Sequence, residues 1–304
     1  MYLRTQTTMF AIYALLLMVF SPLSNASMVV LYPKVSSPYS EIFSEIIAGV
    51  EEQHTGNIEL QPISKTQSID ELSLWVKDKD PDMLIALGRG GYNLVKSFYK
   101  DKPVVVGALP IKPNGISGIS LLGDPKVLFN SLQTLTPHIQ RVHVVYSDSS
   151  EWLIQLAEMQ SAALGLTLIK VKVQDIKVAT QEYDKLLSLI NVKTDAIWLP
   201  LDPVTANEQI ILPSLLEQTW EKNIVLFSSK PAHAKRGALF SMFPNNYELG
   251  KQLAVMVESM HKTKMNGGVL PLNSMRLAVN LRTASHLGLE YKNSQKQQFY
   301  ITYP

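Results

Sequence analysis

The most informative absence in this 304-residue sequence is cysteine, of which there is none. Disulfide frameworks, thiolate metal sites and lipid anchors attached through a cysteine are therefore excluded. A chain of this length can bury enough apolar surface to fold without disulfides, so the absence is compatible with an exported protein. The 6 histidines include no pair at i,i+4 spacing, and we expect no dedicated metal site.

An excess of charge of one sign is also absent. Lys and Arg together number 28 against 26 Asp and Glu, which gives a formal net charge of +2. No run of basic residues is present that could follow a phosphate backbone, so nucleic acid is not an expected partner.

The usual signatures of catalysis and cofactor binding are missing as well. There is no G-x-S-x-G nucleophile elbow, and the GISG of residues 115–118 is too short to be one. The glycine-rich stretch that begins at Gly88 is not a dinucleotide fingerprint, because Asn93 stands at its third glycine position. We therefore expect a protein that is not an enzyme and that holds no cofactor.

A long apolar run lies near the start of the chain, at residues 9–20. It follows a short polar segment with Arg4 and is followed closely by the small residues Ser24-Asn25-Ala26, an order typical of a secretory signal cleaved after Ala26. The run is shorter than the ~20 residues needed to span a bilayer, although an uncleaved anchor remains the alternative. We expect a signal peptide at residues 1–26 and a periplasmic protein without a lipid anchor.

The stretch PDMLIALGRGGYN, residues 81–93, organises the first part of the chain. Its apolar half lacks polar alternation, which predicts a strand covered on both faces, and its glycines allow close backbone approach. A helix that starts at the carboxyl end of such a strand presents free N–H groups to an anion, and Arg89 adds a full positive charge. The alternative is a glycine turn with a purely structural role.

The rest of the sequence predicts two α/β lobes. Strands and helices alternate up to residue 107 and again from 142 to 228, which indicates two doubly wound parallel sheets. The segments after Ser229 are too few to form a third core, so we expect them to pass back between the lobes and complete a multi-strand hinge beside a ligand cleft. The expected division is residues 27–118 plus about 243–270 for lobe one and 119–242 plus about 271–304 for lobe two.

Six patterns occur in order along the chain. They are PDMLIALG at 81–88, AALGLTL at 162–168, DAIWLPLD at 195–202, GAL at 237–239, YELG at 247–250 and LAVNLRTASHLGL at 277–289. On these patterns the chain resembles the periplasmic substrate-binding proteins of ABC transporters with the type I fold, in particular the tryptophan- and tyrosine-binding branch. The resemblance implies a periplasmic binding protein type I fold, a small-molecule ligand, a permease partner in the inner membrane and a monomeric state.

The sequence departs from this family at two turns. After the apolar half of residues 81–93, the family usually has a Thr or Ser together with a Pro, and this chain has Arg89-Gly90-Gly91. After the fourth predicted strand, the family tends to have Thr-Asp-Pro or Ser-Asp-Pro, and this chain has Ala108-Leu109-Pro110. Both turns fall in the expected cleft, so the resemblance does not identify the ligand.

Candidate ligand-binding residues are the polar groups that follow the predicted strands of both lobes. In lobe one they are Ser36, Ser37, Tyr39, Gly88, Arg89, Gly90 and Tyr92. In lobe two they are Ser147, Asp148, Ser149, Asp202, Ser228 and Ser229.

A zwitterionic, amino-acid-like ligand would give these residues distinct roles. Arg89 and the amides of its turn would hold the carboxylate, Asp202 or Asp148 the ammonium, and Tyr39 or Tyr92 would cover the side chain. The alternative for the two aspartates is that they cap the segments that follow them.

Two functions fit such a cleft. The first is the solute-binding component of an ABC-type importer, and the alternative is a ligand-sensing subunit that presents the solute to a membrane sensor kinase, cyclase or chemoreceptor. A repressor is excluded, because a secretion signal stands in the place of a DNA-binding head.

Overall fold

The computed structural model describes residues 26–96 and 99–304. Residues 1–25, which hold all but the last position of the predicted signal peptide, lie outside this description. Over the described ranges, none of the helices combines the length and apolar character needed to cross a bilayer.

The described chain forms strands and helices in alternation. The strands are β1 (Met28–Pro33), β2 (Ile58–Ile63), β3 (Met83–Leu87), β4 (Val104–Gly107), β5 (Ser117–Gly123), β6 (Arg141–Tyr146), β7 (Thr167–Lys172), β8 (Asp195–Leu199), β9 (Val225–Ser228), β10 (Phe240–Pro244), β11 (Val269–Leu272), β12 (Met275–Asn280) and β13 (Ile301–Tyr303). The helices are α1 (Tyr39–Gln53), α2 (Ile69–Lys79), α3 (Gly88–Val95), α4 (Pro125–Leu135), α5 (Glu151–Ala163), α6 (Ile176–Leu189), α7 (Ile211–Glu221), α8 (Ala232–Arg236), α9 (Asn246–Thr263), α10 (Leu281–His286) and α11 (Asn293–Lys296).

Two separate sheets organise these elements. The first has the order β11-β5-β4-β3-β1-β2 and is parallel throughout. The second has the order β13-β12-β10-β9-β8-β6-β7 and is parallel except for the β10–β12 pair. The predicted doubly wound α/β architecture with two sheets is therefore confirmed, and we call each sheet with its helices a lobe.

Local sequence signals explain where the helices begin. Ser68 immediately precedes α2 and accepts a hydrogen bond from the Asp70 N–H at 3.2 Å. Asp124 caps α4 by accepting from the Lys126 N–H at 2.9 Å, and Pro125 occupies the first turn as its fixed φ favours.

Helix α9 follows β10 in the chain but packs on the first lobe, against α1. Two glycines allow the helix backbones to touch. A Cβ added at Gly250 would lie 1.9 Å from the Ile46 carbonyl oxygen, and one added at Gly49 would lie 1.9 Å from that of Tyr247. The YELG pattern is therefore a helix-packing motif, which fixes α9 on lobe one.

The chain passes between the sheets after Gly123, after Pro244 and between Leu272 and Met275. The third crossing is hydrogen-bonded to the other two, because Asp124 N–H donates to Leu272 at 2.8 Å and Asn245 N–H donates to Ser274 at 3.0 Å. Met275 packs against the cores of both lobes.

Strand β5 corrects the expected position of the first crossing. The sequence places the boundary at residue 118, whereas the strand pairs as a whole within the first sheet, with β4 and β11. The chain therefore leaves lobe one only after Gly123. The tail, which the sequence analysis places in lobe two, adds β13 to the edge of the second sheet.

Candidate functional site

In lobe one, the candidate residues follow two neighbouring strands. β1 and β3 pair in parallel, with Leu31 opposite Ala86, so the segments that follow them leave the same edge of the sheet. Gly88 begins α3 with φ +68°, and a Cβ added there would lie 3.0 Å from Cγ of Pro33. Both the backbone conformation and the close approach require glycine at this turn.

Arg89 and Gly90 lie on the exposed surface of the first turn of α3. Among the described residues, the Arg89 guanidinium has no hydrogen-bond or ion-pair partner. Its charge and its donors are therefore available to a ligand. Gly90 also has open space around it, because an added Cβ would approach only Ile63, at 3.7 Å.

Tyr39 lies at the start of α1 and is 66% exposed. Val35 and Ile42 are exposed apolar side chains close to it in the chain, and Phe43, one turn along α1, lies next to Gly88. The sequence interpretation named Tyr39 but missed the two aliphatic residues, because Val35 lies in a loop and Ile42 belongs to a helix whose other apolar residues are mostly buried.

The other lobe-one candidates have internal partners or stay exposed. Ser36 is exposed, and the Ser37 hydroxyl donates to Glu41 at 3.0 Å. Tyr92 packs against the core, and its hydroxyl accepts from Asn114 at 2.7 Å while Lys96 lies over its ring at 4.5 Å. Tyr92 therefore stabilises lobe one and is not free to cover a ligand in this arrangement.

In lobe two, Asp202 is the centre of a buried hydrogen-bond network. It is 3% exposed, and its carboxylate accepts from the Ser147 N–H at 2.9 Å and from the Ser147 hydroxyl at 2.8 Å. The Ser149 and Ser150 hydroxyls donate to it at 3.1 and 2.9 Å.

Backbone groups complete the shell of Asp202. The N–H groups of Val204 and Thr205 donate to its other oxygen at 2.9 and 3.2 Å. Burial alone would raise the pKa of Asp202, but the hydrogen bonds from Ser147, Thr205 and Val204 outweigh it and hold that pKa below its usual value. The carboxylate ties the turn after β6 to the turn after β8, which is the capping role that the sequence left as an alternative.

Asp148, the other predicted partner for an ammonium group, is on the surface. It is 88% exposed at its side chain and lies 2.7 Å from the Lys172 ammonium. The hydrogen bond and the charge of Lys172 lower the pKa of Asp148. Asp148 therefore stays ionised and reachable by a ligand.

The serines after β9 are buried. Ser228 is fully buried and lies 2.7 Å from Nδ1 of His233, and Ser229 accepts from the indole N–H of Trp198 at 2.9 Å. His233 is also near Glu208, with 3.6 Å between Nε2 and Oε1.

This Ser-His-Glu group differs from a catalytic triad. The Ser228 hydroxyl faces Nδ1, accepts from the Lys230 N–H at 3.0 Å and has no exposed surface. Burial, with the charge of Lys230, lowers the pKa of His233 to about 4. The group therefore stabilises the end of β9. The described residues also contain no cluster of three His, Asp or Glu side chains arranged to hold a metal ion.

Comparison with known proteins gives one family. The family model described as ABC transporter substrate binding protein matches residues 47–297. No curated protein sequence matches the chain significantly.

Solved structures match nearly the whole chain. A ligand-free, open substrate-binding protein with adhesive properties from Clostridium difficile gives a TM-score of 0.63 at 14% identity and covers 91% of this chain and 99% of that one. An ABC domain in complex with L-Trp from Streptococcus pneumonia gives 0.54 at 19% identity over 92% and 100%. A conserved domain protein from Vibrio cholerae gives 0.52 at 17% over 91% and 99%. These structures have the periplasmic binding protein type I fold, which confirms the fold expected from the sequence.

Proposed function

The chain belongs to the family of ABC transporter substrate-binding proteins, and on that premise we propose that it captures a small anionic or amino-acid-like solute between its lobes and delivers it to an importer. Members of this family are typically periplasmic or extracellular. The expected compartment is the periplasm, reached through the N-terminal signal, and the expected partner is the permease in the inner membrane.

The observation that carries the proposal is the guanidinium of Arg89, which has no partner in the part of the chain that the structure describes. It stands on the exposed first turn of α3, at the carboxyl end of the fully buried strand β3. Carboxyl ends of parallel strands are where open α/β sheets bind ligands. An exposed Arg at a helix N-terminus can hold a carboxylate through a bidentate contact together with backbone N–H groups.

The rest of the ligand would be held by apolar and acidic surface. Tyr39, Val35 and Ile42 offer exposed apolar surface close in the chain to Phe43, which lies next to Gly88. Of the two acids expected to bind an ammonium group, Asp202 has its carboxylate filled by internal donors, so this role passes to Asp148. An anionic ligand without an ammonium group would need only the lobe-one part of the site.

Closure of the lobes would follow from the hinge. The three crossings join the lobes near one another and are hydrogen-bonded together. A ligand that contacts both lobes stabilises the closed form by its differential affinity, and a permease can recognise that form.

A ligand screen by thermal shift tests the proposal. A ligand at about a hundredfold excess over its Kd stabilises the folded protein by about 2.7 kcal/mol, so amino acids, organic anions, nucleosides and short peptides can be compared directly. The strongest hit is then titrated calorimetrically against the wild type, R89A and R282A. Arg282 is an exposed arginine in lobe two, so its variant controls for the lost charge.

We expect R89A to weaken binding about 10- to 100-fold, as the loss of a charged bidentate contact does, and R282A to bind as the wild type does. Unchanged affinity in R89A would refute the assignment of Arg89. Reconstitution with the permease then separates import from sensing, since only an importer couples the liganded protein to ATP hydrolysis.

A further inference from the structure

A single carboxylate binds the chain near the first residue that the structure describes. Oδ2 of Asp82 lies 2.7 Å from the Ser27 backbone nitrogen and 3.0 Å from the Ser27 hydroxyl. The Asp82 N–H donates in return to the Ser27 hydroxyl at 3.2 Å. Ser27 and Asp82 thus form a reciprocal pair through three hydrogen bonds.

This pair stands at the amino ends of two central strands. Ser27 precedes β1 and Asp82 precedes β3, and the two strands pair in parallel, with Met28 opposite Met83. The Ser27 carbonyl accepts from the Met83 N–H at 3.1 Å, and the Met28 N–H donates to Asn57 at 3.0 Å. The position of Ser27 therefore helps to set the register of the first sheet.

The residue before Ser27 is used differently. Ala26 packs against the lobe-one core, but within the described part of the chain no hydrogen bond involves it. Hydrogen bonding in the described chain begins at Ser27. This is also the residue that follows the small Ser24-Asn25-Ala26 segment, where the sequence predicts cleavage by a signal peptidase.

We propose that the chain is processed at the Ala26–Ser27 bond and that Asp82 is the built-in binding site for the α-ammonium group that this cleavage releases. Hydrolysis adds one water across the peptide bond: the oxygen of the water becomes part of the new carboxylate of Ala26, and both of its hydrogens pass to the Ser27 nitrogen. The amide that donates to Asp82 then becomes an ammonium with three donors and a full charge. A hydrogen bond of the precursor becomes an ion pair of the mature protein.

The groups around Asp82 suit this role. The backbone hydrogen bond from Ser27 is the main reason that the pKa of Asp82 is lowered, and it outweighs the opposing effect of burial. His261 and Lys102 also lower it. Lys102 is itself bound to Asp80 at 2.8 Å and to the Pro81 carbonyl at 3.1 Å, so it does not compete for the Asp82 oxygen that faces Ser27.

The test uses the full-length chain, exported with its own leader and purified from the exported fraction. Intact mass and N-terminal sequencing identify the first residue. Trace acetylation of the α-amino group as a function of pH, followed by mass spectrometry, then gives its pKa in the wild type, in D82N and in D184N. Asp184 is an exposed acid of lobe two, so D184N makes the same change of charge away from the N-terminus.

We expect the mature protein to begin at Ser27, with an α-amino pKa above the ordinary range of about 7.7–8.0. That pKa should fall in D82N and stay unchanged in D184N. A different first residue overturns the proposal, and so does an α-amino pKa that D82N leaves unchanged. If D82N does not fold, a wild-type value within or below the ordinary range is itself enough to overturn it. None of these outcomes depends on ligand binding, so they are independent of the proposed transport function.

Discussion

The guanidinium of Arg276 lies over the ring of Tyr300, with 4.8 Å from its central carbon to the ring centroid. The same guanidinium donates from Nη2 to Oδ1 of Asn245 at 2.9 Å, and Tyr300 also contacts Phe243, with 5.9 Å between the ring centroids. Phe243 and Asn245 flank one hinge crossing, and Arg276 follows another. The C-terminal segment is thus connected to two of the three crossings between the lobes.

This relationship predicts energetic coupling between Arg276 and Tyr300. In a double-mutant cycle with R276A and Y300A, we expect a coupling free energy of about 0.5–1 kcal/mol, the usual size for a cation over an exposed ring. Chemical denaturation of the four proteins measures it. R282A with Y300A is the control pair, since Arg282 lies over Trp220 instead. Additive effects in both pairs would mean that the tail does not act on Arg276.

The buried carboxylate of Asp202 predicts a large difference between two conservative variants. The Asp202 carboxylate accepts hydrogen bonds from five residues, and D202N turns one of its two acceptor oxygens into an NH2 donor. We expect a loss of about 2–4 kcal/mol in the free energy of unfolding. D148N removes an exposed charge that pairs with Lys172, and we expect a much smaller loss, because exposed ion pairs contribute little to stability. Urea denaturation at neutral pH compares the two variants, and equal losses would contradict a structural role for Asp202.

The lowered pKa of Asp202 also fixes the direction of its pH dependence. Because the folded protein binds the proton less tightly than the unfolded chain, the stabilisation from Asp202 is complete above the unfolded pKa of about 3.9 and is lost as the pH falls below it. Stability curves of the wild type and D202N should therefore converge in acid. Curves that stay parallel down to pH 3 would argue against this contribution.

Much of the architecture could be predicted because it depends on local patterns. The unbroken apolar run of β3 predicts a strand buried on both faces, and all five of its residues are buried. The Asp124-Pro125 pair predicts the start of α4, and the structure has it there. The position of the first crossing could not be predicted, because β5 belongs to lobe one through pairing with β11, about 150 residues later in the chain.

The candidate site was harder to predict than the fold, because the partners of its polar side chains also lie far away in the chain. A polar residue after a strand faces either the cleft or its own lobe, and the sequence does not distinguish the two. Arg89 has no partner within residues 26–96 and 99–304, whereas Ser147, Asp202 and Ser228 have their polar groups engaged inside lobe two. Ser150, which donates to Asp202, was not among the candidates, because the partner that gives it a role lies 52 residues away.

Two Gly→Ala substitutions, one in the α1–α9 contact and one in the first turn of α3, should have opposite outcomes. In G250A, the added Cβ would lie 1.9 Å from the Ile46 carbonyl oxygen, so the helices must separate, and we expect a loss of about 1–3 kcal/mol or more. In G90A, the added Cβ meets only Ile63 at 3.7 Å, inside a helix where Ala is favoured over Gly by up to about 1 kcal/mol. We therefore expect G90A to be neutral or stabilising. Thermal unfolding of both variants tests the contrast, and a G250A protein as stable as the wild type would exclude the close contact.

The buried His233 predicts a second pH effect, at milder acidity than that of Asp202. Burial and the charge of Lys230 lower the pKa of His233 to about 4, below the unfolded value of about 6.5. The unfolded chain therefore binds the proton first, and stability decreases as the pH falls from about 6.5 towards 4, by up to about 3 kcal/mol. Replacement of His233 by glutamine should remove this pH dependence of stability while keeping a group that can hydrogen-bond Ser228. The control H138Q, at an exposed histidine, should retain the pH dependence. Histidine ring NMR across the same range should show His233 neutral until about pH 4, and titration near 6.5 would place its ring in contact with solvent.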